Sequence, residues 1–196
     1  MERAEILAWR RGKRDELIAA RMALPQAVHA EANAAIARRL DSCFDDIEPC
    51  LVGAYWPFRR EFNVLPTLDA LLGRGFSIAL PVVLGKGRPL EFRPWTRETK
   101  LASGVYDIPY PAEGAGVAPN ILIVPLVGFD DEGYRLGYGG GFYDRTLAVM
   151  DPRPFCLGVG FDLGHLPTIH PLPHDVPMNA IATERGFFGR PTSTSG

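Results

Sequence analysis

The sequence predicts a single α/β domain: an open, mainly parallel β-sheet flanked by helices. Three observations predict it. Helix-like segments alternate with short apolar runs along the chain, the pattern of strands joined by helical crossovers. The runs at 50–56, 76–83, 121–127 and 155–161 are bounded by turn residues, and 121–127 is rich in β-branched types, as buried strands are. A chain of 196 residues with 46% apolar content suits one sizeable core. The domain is expected to span 1–188, leaving the polar tail 189–196, GRPTSTSG, disordered.

In order, residues 3–22 form a helix with basic residues at 3, 10, 11, 13, 14 and 21. Arg10 and Arg14 are one helical turn apart and share a face. Pro25 suits a first helical position, and an alanine-rich helix follows over 26–44, with His29 as a surface residue on it. The first strand, 50–56, stops at Pro57. A loop holding Arg59, Arg60 and Glu61 leads to a helix from Pro66 to Leu72, ended by Gly73 and Gly75. The second strand, 76–83, is expected to break at Pro81, and 90–95 alternates like an edge strand. Residues 96–120, with prolines at 109, 111 and 119, read as a long irregular loop of the kind that carries function. The strand at 121–127, a glycine turn and a helix from Phe142 follow. Then come the strand at 155–161, a loop at 162–177 with three of the four histidines, and a last short strand at 180–183.

Composition excludes several functions. A net charge of −2 gives no global attraction for nucleic acid or acidic membranes, so neither is expected as a partner. No apolar run approaches the roughly 20 residues of a membrane-spanning helix. The three cysteines lack C-x-x-C spacing and read as small hydrophobes in a reducing compartment, which places the chain in the cytoplasm. His165, His170 and His174 lack the companion motif of a zinc site, and G-x-S-x-G is absent. Oligomeric state is open between a monomer and a small homo-oligomer.

The chemistry concentrates at 121–145. A buried strand, an acidic turn, Arg135, then glycines at 137, 139, 140 and 141 lead into a helix beginning Phe142-Tyr143-Asp144. Strand, glycine turn and helix start present bare N–H groups and a positive helix end to an anion. The turn is neither a Walker loop nor the dinucleotide fingerprint, because the G-K-[ST] ending is missing and Phe142 falls where the third glycine belongs. Two readings stay open on pattern alone: a phosphate site, or a tight turn packing helix on strand. Asp144 is likewise either a hard oxygen ligand for Mg²⁺ or a complement to the helix dipole. In a parallel sheet the loops 57–61, 128–141 and 162–175 leave from the strands' carboxyl ends. Glu61, the glycine turn and His174-Asp175 are therefore expected to share one cleft.

The segment 125–145, with R-L-G-Y-G-G-G-F-Y-D-R at its heart, resembles the signature of the 5-formyltetrahydrofolate cyclo-ligase (5,10-methenyltetrahydrofolate synthetase) family. Arg21-Met22-Ala23-Leu24, the stretch 55–61, Ile108-Pro109 and His174-Asp175-Val176-Pro177-Met178 are similar to further family pieces in the same order. The resemblance implies a Rossmann-like sheet of the NagB/RpiA/CoA transferase-like type. It implies closure of 5-formyltetrahydrofolate to the methenyl form, with ATP as co-substrate and Mg²⁺ as cofactor. It places ATP against Arg10, Arg14, Arg135, Leu136, Gly137, Tyr138, Gly139, Gly140, Gly141, Phe142 and Tyr143, with Arg135 and Tyr143 at the reacting centre. The folate falls to Trp56, Glu61, Tyr106 and the loop residues Tyr138 to Phe142, and Mg²⁺ to Asp144 and Asp175. Tyr138 and Gly140 stand where some members carry basic residues, and Asn179 where an acidic one is common. With no lysine in the loop, Arg10, Arg14 and Arg135 are expected to supply its positive charge. A relative acting on another formylated or pterin-like compound, and a non-catalytic nucleotide or folate binder, are the competing expectations.

Overall fold

The computed structural model describes residues 1–189; apart from Gly189, the tail expected to be disordered lies outside the described residues. Two long helices open the chain. In α1 (Arg3–Ala23) the Glu5 carboxylate accepts the Glu2 N–H at 2.8 Å, satisfying a donor that the helix start leaves free. Pro25 is the residue just before α2 (Gln26–Cys43), not its first helical position.

The main sheet holds β1 (Leu51–Gly53), β2 (Ser77–Val83), β3 (Leu90–Trp95), β6 (Ile121–Pro125), β9 (Phe155–Val159), β10 (Ala180–Ala182) and β11 (Phe187–Phe188). Their spatial order is β11-β10-β9-β6-β1-β2-β3. The five central strands run parallel, and β3 and β11 close the edges antiparallel. The expected α/β architecture is therefore observed, with an additional edge strand at 187–188.

Side chains on β6 alternate between two cores. Ile121 and Ile123 pack with Ile36 and Leu40 of α2 and with Leu68 and Leu71 of α3 (Leu65–Gly73). Leu122 and Val124 pack with Leu147 of α4 (Phe142–Val149) on the opposite face. Each such side chain taken fully out of water stabilises the fold by roughly 1.5–3 kcal/mol before entropy is counted.

Three expectations change. Pro81 does not break β2, because β1 pairs only with Ser77, Ile78 and Ala79; beyond them β2 has a ladder partner on one side only, so it behaves there as an edge strand, where proline is tolerated. The apolar run at 121–127 is not all one strand. The Val127 N–H turns to the Leu136 carbonyl at 2.9 Å, starting a small hairpin of β7 (Gly128–Phe129) and β8 (Arg135–Leu136). The stretch 96–120 is not wholly irregular. It holds a hairpin of β4 (Leu101–Ser103) and β5 (Pro109–Pro111), whose tip carries Tyr106 and Asp107 at φ of 59° and 58°.

Cys156 is buried, Cys43 and Cys50 are partly exposed, and all three are unpaired. Among the described residues no helix is long and apolar enough to cross a membrane.

Candidate functional site

Helix α1 lies over the carboxyl ends of the sheet. Its Leu17 packs with Val127, Leu136 and Ile169, residues that follow or border those ends. The same face carries Arg10, Arg14 and Arg21, spaced by whole turns, so one helix face reaches three loops.

Arg10 is 5% exposed, and its guanidinium is fully engaged. It donates to the Ile169 carbonyl at 3.0 Å, to the His170 carbonyl at 2.9 Å and to Asp175 Oδ2 at 2.5 Å. Burial pushes the Asp175 carboxyl up. The Arg10 hydrogen bond, the Leu172 N–H and the nearby charges of Arg10 and His174 outweigh it and hold the group below its ordinary value.

Arg14 donates from Nε to the Gly137 carbonyl at 2.7 Å. Its burial, with Arg10 beside it, pulls the guanidinium below its ordinary value, against the nearby Asp15 and Asp175 carboxylates. Gly139 sits over Arg14 with φ of 90°, where an added Cβ would lie 3.3 Å from the guanidinium carbon. Gly141, at φ of 62°, leads the chain into α4. Both conformations favour glycine, so these two positions need it for backbone reasons as well as for open N–H groups.

Behind the loop, Arg135 Nη1 reaches Asp144 Oδ1 at 3.2 Å and the Val176 carbonyl at 3.3 Å. The Val176 N–H donates back to Asp144 Oδ1 at 3.2 Å, so Asp144 and Asp175 meet the same short backbone segment. Among the described residues no group of three or more His, Cys, Asp or Glu side chains is arranged to hold a metal ion. Asp144 Oδ2 has no protein partner there, whereas both oxygens of Asp175 face Arg10. The Tyr143 hydroxyl and Arg145 Nε are also buried without a partner among the described residues.

The other side of the site is built from the chain after β1. Glu61 is 5% exposed and accepts the Phe58 N–H at 2.8 Å. Burial raises its carboxyl to about 7, against the opposing pull of the Phe58 N–H, Arg21 and Tyr138. Tyr55, Tyr138 and Tyr143 all feel its charge, and burial with that charge pushes each phenol up. Trp56 is partly buried beside the main core. Phe58 stacks on Tyr106 at 6.0 Å between centroids and leans on Tyr138 at 6.1 Å. Tyr106 itself is 74% exposed at the hairpin tip.

The predicted residues thus gather along one edge, from Asp175 through the glycine loop to Glu61. His174 points outward, 3.9 Å from Asp175. His29 is not simply a surface residue: its Nε2 lies 3.0 Å from the Arg60 carbonyl. Sequence reasoning missed Phe58 and Arg21 as site residues. For Arg21 a signal existed, because it continues the Arg10, Arg14 and Leu17 face by one further turn.

A loop of this kind at the carboxyl edge of a parallel sheet is typical of α/β proteins that handle anionic ligands. The family model described as the 5-formyltetrahydrofolate cyclo-ligase family matches residues 6–184, and the chain belongs to that family. The 5-formyltetrahydrofolate cyclo-ligase of Mycolicibacterium smegmatis is 35% identical over 143 residues, covering 68% of this chain and 73% of that protein. The Escherichia coli enzyme of the same name is 32% identical over 140 residues, 67% of this chain and 76% of that one. The NMR structure of Aquifex aeolicus 5,10-methenyltetrahydrofolate synthetase superposes with a TM-score of 0.81 over 95% of both chains, at 24% identity.

Proposed function

We propose that this chain closes 5-formyltetrahydrofolate to 5,10-methenyltetrahydrofolate, using ATP and releasing ADP and phosphate. The observation that carries the reading is the place of the glycine loop. Its 137 end rests on Arg14 and its Tyr138 side chain faces Glu61. One loop thereby touches both a guanidinium suited to phosphate and a buried carboxyl suited to a flat, donor-rich ring.

In the proposed reaction the formyl oxygen attacks the γ-phosphorus, a new P–O bond forms and the bond to ADP breaks. N10 then attacks the formyl carbon, phosphate leaves with the formyl oxygen, and the N10 proton is released. No covalent protein nucleophile is needed; the work is positioning and charge stabilisation. Arg14, Arg135 and the open N–H groups of Gly139 to Gly141 hold the phosphates. In this reading the Tyr143 hydroxyl, buried and unpartnered among the described residues, donates to the transferring group once the site is occupied, and Glu61 accepts ring N–H donors of the pterin. Trp56, Phe58 and Tyr106 offer flat apolar faces to the rest of the folate.

Mg²⁺ fits this donor set: a hard cation takes one or two carboxylates plus phosphate oxygens, and Asp144 has a free carboxylate oxygen beside the loop. Asp175, engaged by Arg10, serves as the outer partner. When bound, the ion would supply charge neutralisation to the phosphate oxygens.

The purified protein is expected to form the methenyl product, read as its near-ultraviolet absorbance, only when 5-formyltetrahydrofolate, ATP and Mg²⁺ are all present. Folded protein that produces no absorbance change would sink the reading. Asp144→Asn should lower turnover and raise the Mg²⁺ concentration needed for half-maximal rate, each on the order of 10–100-fold. Identical Mg²⁺ titrations for variant and wild type would leave Asp144 as a helix-dipole complement only.

A further inference from the structure

Arg21 has no part in the roles assigned above, yet it is 3% exposed and sits between the two loops that carry Glu61 and the glycines. It donates from Nε to the Arg59 carbonyl at 3.1 Å and from Nη2 to the Tyr138 hydroxyl at 2.5 Å. Those acceptors belong to the loop after β1 and to the glycine loop after β8. A buried guanidinium is costly unless its donors are used, so this arrangement is strongly preferred once formed.

Two local facts give the contact leverage. Between residues 137 and 141 the only side chain is Tyr138, because every other residue is glycine. The loop's other ties are through backbone carbonyls, Gly137 to Arg14 and Gly140 to Arg145. On the opposite side, Arg59 and Arg60 adopt φ of 46° and 55°, left-handed values that persist only when neighbours enforce them. The neighbours are Arg21 on the Arg59 carbonyl, the Met22 carbonyl under the Arg60 guanidinium at 2.8 Å, and His29 on the Arg60 carbonyl. The end of α1 and the start of α2 thus set the strained turn that places Glu61.

We propose that Arg21 is a positioning residue that couples the two substrate sites, locking the glycine loop through Tyr138 to the Glu61 loop through the Arg59 carbonyl. This rests on the functional reading above. Occupying the Glu61 side then orders the loop that receives the nucleotide, so each ligand tightens the other. A basic residue at 138, as the resemblance implies for some relatives, could not accept a hydrogen bond from Arg21, so the coupling belongs to sequences with a hydroxyl there.

The test is calorimetric binding of a non-hydrolysable ATP analogue with Mg²⁺, in the absence and presence of saturating 5-formyltetrahydrofolate. Wild type, Arg21→Gln, Tyr138→Phe and the double variant are compared. Wild type is expected to bind the analogue at least about fivefold tighter with folate present. Arg21→Gln should reduce that factor to within about twofold of none; Tyr138→Phe, which loses its Glu61 contact as well, should reduce it at least as far, and the double variant should go no further than Tyr138→Phe. Tyr138→Phe removes one hydroxyl from a half-exposed ring, so it keeps the test open even if Arg21→Gln fails to fold. Intact binding of both ligands with wild-type coupling in Tyr138→Phe overturns this proposal alone. Wild type that binds neither ligand overturns the functional reading, and this proposal with it.

Discussion

At pH 8, Glu61→Gln is expected to melt roughly 5 °C above the wild type while losing on the order of 100-fold in kcat/KM for 5-formyltetrahydrofolate. The gain in stability follows from linkage. Burial raises the Glu61 carboxyl from 4.5 to about 7, so the folded state holds a proton that the unfolded state has released across that window. Wild-type stability therefore falls as pH rises from 4.5 to about 7 and stays reduced above it. The full shift corresponds to about 3 kcal/mol. Glutamine keeps an oxygen for the Phe58 N–H without carrying the charge, and part of that cost is recovered. The loss of activity follows from the same change, because an amide nitrogen now faces ring N–H donors that need an acceptor. Melting curves from pH 4 to 8 decide the matter: wild type and variant should converge near pH 4, separate as pH rises from 4.5, and hold their full gap above about 7. Parallel curves would mean that Glu61 does not pay an ionisation cost in the fold.

Local pattern made much of this legible. The run at 121–127 and the glycine turn after it are contiguous signals, and a parallel sheet dictates that the loops leaving its carboxyl ends converge. The α/β class follows from the same alternation. Illegible features depend on partners distant in the chain. Arg10 and Asp175 are separated by 165 positions, and nothing in either neighbourhood announces that they bond. The Pro81 expectation failed because a proline's cost depends on whether a neighbouring strand is there to accept its N–H, which is a matter of register. The hairpin at 101–111 escaped notice because its two prolines resemble loop punctuation, although both are tolerated on so short a strand. Arg21 sits on the Arg10 and Arg14 face of α1, a signal the sequence carries, but its two acceptors lie on loops 38 and 117 positions away and appear only in the fold.

Arg10→Ala is expected to destabilise the protein by about 3–5 kcal/mol at pH 7, the usual cost of stripping one partner from a buried ion pair. Both side chains of the pair are nearly closed to solvent, 6% and 8% exposed. Removing the guanidinium also leaves the Ile169 and His170 carbonyls without their donors. The pH dependence has a definite sign. Asp175 lies below its ordinary value of 3.8, so its contribution is present above that value and fades as pH falls through the lower, folded one. In Arg10→Ala burial remains while the opposing hydrogen bond is gone, so the carboxyl rises. The deficit against wild type should therefore be largest near neutrality and shrink in acid. Pairing Arg10→Met with Asp175→Leu should restore most of the lost stability, because an apolar pair pays no desolvation cost. That double variant should nonetheless remain inactive at any Mg²⁺ concentration, since the 165–177 loop would be held without its carboxylate. That outcome would support the proposed reading, in which Arg10 acts on the nucleotide through Asp175 while Arg14 and Arg135 make the direct contact with phosphate. Wild-type stability for Arg10→Ala at pH 7 would refute the buried pair. A variant with unchanged Mg²⁺ dependence and weakened ATP binding would return Arg10 to a direct phosphate contact.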